Sequence, residues 1–232
     1  MKINKILIFS AIALMIFANT TLLKGEADNY DDIGERILYR ISPLGRAEYN
    51  DLGVVEVDGI KVNLITFSAK VLFVEDTKKI YCYPESLLPY KMERTISKLW
   101  SKKYITEEYD QEKFTVVRRR FKGRKCVDEK TIRANGPIQN AIMLPFYLRR
   151  GPDLEIGWQF TARVPEEFKV ELVSIDEIKV PAGTFQAYHF KSIPHKFEVW
   201  IDKNNPRVPL KIQGEGIFAY TLLMKKYSLG NS

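Results

Sequence analysis

Six of the eight residues in Arg118-Arg119-Arg120-Phe121-Lys122-Gly123-Arg124-Lys125 are basic. Such a run meets phosphate, whether on nucleic acid, an anionic lipid surface or a phosphate-rich envelope polymer. In a strand Arg118 and Arg120 share one face and Arg119 takes the other, so one face at most holds a real patch. The bland alternative is a solvated hairpin whose charge discourages edge-to-edge pairing. Glu107 and Glu108 are adjacent, and in a strand they point to opposite faces, which excludes them as a paired acid and base on their own. The two histidines, His189 and His195, lie six residues apart. They share a face by parity, but a turn at Pro194 spoils it, and they read as ordinary strand or turn residues. The chain has no Gly-x-Ser-x-Gly elbow, no Ser-x-x-Lys, no His-Glu-x-x-His and no phosphate-cradling glycine loop. The sequence therefore nominates no catalytic residue, metal or cofactor.

Two cysteines remain, Cys82 and Cys126. In an oxidising compartment the pair is a candidate disulfide, closing a loop of about 45 residues for roughly 4 kcal/mol. The alternative is two separate thiols acting as small hydrophobes. Trp158 and Trp200 read as core or cavity-wall residues. With Arg118 and Arg120 they are the ligand-binding candidates.

These residues need a scaffold. Lys2 and Lys5 precede an apolar run from Ile6 to Ala18 broken by Ser10, and Gly25-Glu26-Ala27 follows with small residues at −3 and −1 of a cut after Ala27. That is the order of a secretory signal peptide over 1–27. The run is short for a bilayer span, which needs about 20 apolar residues, although an uncleaved anchor is the alternative. No cysteine lies near the cut, which argues against a lipid-anchored lipoprotein. Cleavage removes three basic residues and one acidic one, taking the formal charge from +7 to +5. In a chain expected in the periplasm or another extracytoplasmic space, that excess points to anionic surfaces rather than nucleic acid.

Residues 28–232 have the length of one domain, and at 45% hydrophobic and 12% aromatic the chain has material for a core. Alternation dominates them. Strands are expected at 36–41, at 54–58 and 60–69 around Asp58-Gly59, and at 71–74 and 79–83 around the polar turn Glu75-Asp76-Thr77-Lys78. A loop is expected between Pro84 and Pro89, then strands at 98–110 and 113–121. Later strands are expected at 159–163, 168–178, 185–193, 196–201, 209–213 and 217–226. Pro181-Ala182-Gly183 reads as a tight turn. Pro137 opens a short helix over 137–149 that Pro145 kinks or ends. Ten to twelve antiparallel strands and one helix imply a mainly β fold, a curved sheet forming an open or half barrel wide enough to hold a ligand.

Several of these features together resemble a known family. They are Gly34-Glu35-x-Ile37-x-Tyr39-x-Ile41, Tyr83-Pro84 with Ser86, Tyr109-Asp110 with Phe114, Tyr147-Leu148-Arg149, Pro181-Ala182-Gly183-Thr184-Phe185, and Trp200 with Pro209-Leu210-Lys211-Ile212. In this order they are similar to the bacterial exported proteins of domain-of-unknown-function family 3108. The resemblance implies no activity and no catalytic residue. It implies a fold-level likeness to periplasmic half-barrel lipoprotein carriers, which hold acyl chains in a concave sheet. The expectation is a non-enzymatic exported protein that binds a lipid, acyl chain or other amphipathic molecule, with Arg118 or Arg120 at its headgroup and contact with the membrane surface. The rival expectation is a scaffold protein of the envelope that binds a protein partner or peptidoglycan.

Overall fold

The computed structural model describes residues 34–214 and 220–230. The expected signal peptide and the start of the last expected strand lie outside them. Among the described residues, fourteen strands form one antiparallel sheet: β1 Glu35–Ser42, β2 Gly45–Val57, β3 Ile60–Val71, β4 Val74–Cys82, β5 Pro89–Lys98, β6 Ser101–Asp110, β7 Thr115–Lys122, β8 Lys125–Arg133, β9 Gln159–Arg163, β10 Glu167–Val180, β11 Gly183–Ile193, β12 Phe197–Asp202, β13 Pro209–Gly214 and β14 Tyr220–Leu229. The order is β8-β7-β6-β5-β4-β3-β2-β1-β14-β13-β12-β11-β10-β9. Every strand but two pairs with its sequence neighbours, and β1 pairs with β14 to join the halves. β8 and β9 end as opposite edges, so the sheet does not close. The chain between them, residues 134–158, is a strap that runs from one edge to the other and carries the helix α1, Leu144–Leu148.

The alternation that marks strands also sets the core. In β1, Ile37, Tyr39 and Ile41 are buried while their neighbours are not, and β2 adds Ala47 and Tyr49. Strap residues Met143 and Phe146 join these in one core cluster, while Leu144, Leu148 and Leu154 join Val170, Leu172, Phe190, Val199 and Ile201 in a second. The strap thus packs against inward faces of both halves of a sheet that curves around it.

The Asp58-Gly59 hairpin forms as expected, with φ of 52° and 78° at its centre, the positive values a two-residue turn of this kind requires. Three expectations fail. The turn after β3 is at Leu72-Phe73, not at 75–78. Asp76 and Lys78 are instead buried strand residues, because each finds a partner of opposite charge inside. The helix covers only 144–148. Residues 137–140 are held as irregular chain by side-chain amides, and Pro145 opens the first turn rather than ending it, where its missing N–H costs nothing. Finally, β5 and β8 are additional strands. Pro89 is tolerated as the first residue of β5, where no ladder donor is lost.

The cysteines are not joined. Cys82 ends β4 and is buried, while Cys126 lies on β8 and is exposed. Four strand spacings separate β4 from β8, roughly 15–20 Å, against the ~7 Å between Cα atoms that a disulfide tolerates. Burial pushes the Cys82 thiol up to about 12, so it stays an inert apolar side chain.

Candidate functional site

Strands β4 to β7 turn an unusual set of side chains inward. Register sets Lys78 opposite Arg94, Met92 opposite Glu107 and Glu107 opposite Arg118. Arg94 grips Asp76 with two hydrogen bonds, Nε to Oδ1 at 2.8 Å and one terminal nitrogen to Oδ2 at 2.7 Å. Lys78 Nζ donates to the same Oδ2 at 2.9 Å. Arg118 Nε donates to Glu107 Oε1 at 2.6 Å, and the Tyr109 hydroxyl donates to Oε2 at 2.5 Å. Asp76, Lys78, Arg94 and Glu107 are 5%, 3%, 5% and 6% exposed. Lys78 and Arg94 share the buried Asp76, while the partly open Arg118 pairs with the buried Glu107. Burial pulls the Lys78 ammonium down to about 8, with Asp76 opposing and Arg94 assisting that fall. Burial likewise raises the Tyr109 phenol, and Glu107 raises it further, so it remains a donor.

The strap roofs this cluster and is tied from both sides. The Gln111 side chain donates to the Pro89 and Ile138 carbonyls and accepts from the Ile138 N–H, at 2.9, 3.0 and 3.0 Å. Gln139 bonds the Arg163 backbone, donating through its own N–H and accepting at its side-chain oxygen. Farther along, Arg149 forms a bidentate pair with Glu35 at 2.7 and 2.8 Å, and the Tyr147 hydroxyl donates to the Leu87 carbonyl.

Two neighbouring cavities lie under the roof. One, about 110 Å³, is lined by Tyr39, Tyr49 and Phe67 from one half of the sheet, Phe197 and Val199 from the other, and Phe146 from the strap. It is apolar over most of its wall. The second, about 90 Å³, is bounded by Lys78, Arg94, Glu107, Tyr109 and Arg118 beneath the strap residue Asn140. Ala141, Ile142 and Val164 border both. Lys78 Nζ also sits 5.5 Å from the centre of the Phe67 ring, so it stands where the charged space meets the apolar one.

The sequence candidates separate cleanly. Arg118 lines the charged cavity. Arg120 shares its face but is half exposed and pairs with Asp128 at 3.7 Å. Arg119 takes the other face with Glu108 and Glu129, each at 2.7 Å. Trp158 and Trp200 line neither of the two cavities. Trp158 is stacked with Phe160 and edge-on to Phe190 in the second core cluster. Trp200, on the opposite face of β12 from Val199 and Ile201, is sandwiched between His189 at 4.1 Å and the Lys211 ammonium at 3.8 Å. Next to it, Glu198 bridges both histidines, with His189 Nε2 at 2.5 Å and His195 Nε2 at 2.8 Å, while Asp176 meets His189 Nδ1 at 2.9 Å. Burial alone would raise the Glu198 carboxyl, but the bonds from His189 and His195 bring it below the usual carboxylate range. Pairing of β11 with β12 brings these residues together, which their sequence spacing conceals. No three metal-ligating side chains converge in a metal-holding arrangement among the described residues.

The model of the family described as "Protein of unknown function (DUF3108)" matches residues 43–220. The chain belongs to that family. This DUF3108 protein is also similar in fold to the crystal structure of a β-barrel-like protein of domain of unknown function DUF1849 from Brucella abortus. The superposition has a TM-score of 0.51 at 8% identity and covers 86% of this chain and 98% of that one. At that identity the likeness concerns the fold alone. No curated protein matches the DUF3108 chain. Its inward charges Asp76, Lys78, Arg94 and Glu107 were not among the sequence candidates. The available signal was parity: each falls in step with apolar residues that face the core.

Proposed function

We propose that this DUF3108 protein is a non-enzymatic binding protein, exported to the periplasm or another extracytoplasmic space, for a slender lipid-like or amphipathic molecule. The observation that carries this reading is the apolar cavity between the concave sheet and the strap. Its walls are aromatic and aliphatic side chains from both halves of the sheet, and its volume would hold about seven to ten water-sized groups, the bulk of one short alkyl chain. Burying such a chain contributes about 0.8 kcal/mol per methylene. The N-terminal charged and apolar order supports export. The alternative of partner binding through the open β8 edge is less well supported, because that strand carries Lys125, Asp128, Glu129, Lys130 and Arg133, charges that discourage strand addition.

Calorimetric titration with decanol tests the reading. The expected result is saturable one-to-one binding with a negative heat-capacity change. Val199→Phe, which places a ring in the cavity, should weaken it at least about tenfold while changing stability by no more than the ~1–3 kcal/mol of an overpacked core. No saturable binding, or equal binding by both proteins, would sink the proposal.

A further inference from the structure

We propose that one rim of the sheet, at the β1–β2, β3–β4, β5–β6 and β7–β8 turns, docks the protein on an anionic lipid bilayer. Docking there goes beyond ligand binding in the cavity and does not require the cavity to be filled.

Every second connection of an antiparallel sheet falls on the same rim, so these four hairpin turns stand side by side. Three of them carry apolar pairs: Pro43-Leu44, Leu72-Phe73 and Leu99-Trp100. Trp100 is 83% exposed, Leu44 63%, Phe73 49% and Leu72 46%. A single exposed apolar residue is ordinary, but a row of them marks an interaction face. Neighbouring hairpins lie two strand spacings apart, about 10 Å, so the three tips span about 20 Å. The opposite rim differs. Its connections, Asp58-Gly59, 83–88, 111–114, Pro181-Ala182 and 203–208, carry no large apolar side chain as exposed as these. Leu72 also holds φ at 51°, a left-handed conformation that glycine or asparagine adopts with less strain. Local turn chemistry does not call for leucine there, and a contact outside the fold does.

Charge selects the partner. Within two residues of the β3–β4, β5–β6 and β7–β8 turns lie the exposed Lys70, Lys98, Lys102, Lys122, Arg124 and Lys125, against Glu75 alone on the acidic side. Apolar and aromatic tips set among basic residues match a bilayer interface, where Trp settles at the headgroups and Lys and Arg meet anionic lipid. A protein partner would call for a patch whose core is poor in charge. The basic run supplies Lys122, Arg124 and Lys125 to this rim, whereas Arg118 turns to Glu107 and Arg119 to Glu108 and Glu129. Glu166 and Glu167, at the β9–β10 turn of the other half, bound the face. The exposed Lys196, in the β11–β12 turn of this same rim, lines the apolar cavity, so docking also brings the cavity wall towards lipid.

Cosedimentation with vesicles, of phosphatidylcholine alone or mixed in equal parts with phosphatidylglycerol, tests the assignment. The expected result is binding to the anionic vesicles at least about tenfold tighter than to the neutral ones, weakening as salt is raised. Phe73→Ser and Trp100→Ser in one chain should weaken it at least about tenfold, because two aromatic rings no longer reach lipid. Lys98→Glu with Arg124→Glu should lower it as far. Lys61→Glu with Lys203→Glu makes the same change of net charge on the opposite rim and should leave binding within about twofold. All the substituted side chains are exposed, so each variant should fold as the parent does. No preference for anionic vesicles, full binding by the serine variant, or equal losses from the two charge variants would overturn the rim as the docking face. If vesicles are not bound and the serine variant instead abolishes a dimer seen by sedimentation, the tips bind a second copy of the chain and the bilayer assignment falls.

Discussion

Asp76→Ala is expected to cost about 3–5 kcal/mol of folding stability at pH 7, measured by urea denaturation. The loss comes less from the missing contacts than from what stays behind. Without Asp76, the ammonium of Lys78 and the guanidinium of Arg94 lie opposite each other across β4 and β5, and each has lost the carboxylate it shared. The conservative truncation is therefore the severe one. The triple change Asp76→Leu, Lys78→Met, Arg94→Met removes both charges that Asp76 held and should return most of the stability, because a buried ion cluster replaced by apolar groups of similar volume is close to neutral.

The cost should also depend on pH. In the folded protein the Lys78 pKa is lowered from 10.5 to about 8, so between those values the unfolded chain binds a proton that the native chain has released. Stability attributable to this residue therefore rises as pH increases from 8 to 10.5. Losing Asp76 removes the main influence that opposes the fall, which extends the window to lower pH, so Asp76→Ala should recover part of its deficit by pH 9.5. A variant as stable as the parent at pH 7 would contradict the buried cluster.

The second large effect is expected at the strap. Phe146 is 3% exposed, with its ring stacked on Tyr49 at 4.2 Å and 17° and the Arg149 guanidinium 4.8 Å from the ring centre. Phe146→Ala should cost about 3–5 kcal/mol, the range for emptying a buried aromatic site. It should also loosen the strap more than the sheet. Residues 138–150 hold their place through Phe146, the Gln111 and Gln139 amides and the Glu35–Arg149 pair, whereas β3 to β6 hold each other through their own ladders. Hydrogen exchange should therefore accelerate at 138–150 with little change in β3 to β6. A loss under ~1 kcal/mol, or uniform acceleration, would mean that the strap is not anchored by this ring.

Local rules carried much of the fold in the sequence. Asp58-Gly59 marks its hairpin because few dipeptides take positive φ twice. β9 occupies 159–163 as read from its alternation. Period two also places Glu107 inside and Glu108 outside, and separates Arg118 from Arg119. The site was hidden by the same rules. Glu75-Asp76-Thr77-Lys78 is polar, and polar tetrads between apolar runs usually turn. Only the pairing of β4 with β5 shows that Asp76 and Lys78 meet Arg94 inside. Likewise, Pro137 and Pro145 both fit a helix start, and what decides between them is Gln111 and Arg163 holding residues 138 and 139 in non-helical chain. Long-range partners of this kind leave no periodic trace in a single sequence. The place of Trp200 outside both cavities and of the two cysteines on separate strands was hidden for a related reason, since residue type alone does not reveal which face, or which pair of strands, a side chain will share.

Native mass spectrometry of the protein purified without detergent, after incubation with a cell-envelope extract, is the most direct measurement of whether the cavity under the strap is a binding site. The expected spectrum shows a second species heavier by the mass of one single-chain amphiphile, absent when Val199→Phe is treated in the same way. A spectrum with only the unliganded mass for both proteins, or the same adduct on both, would contradict a ligand held in that cavity.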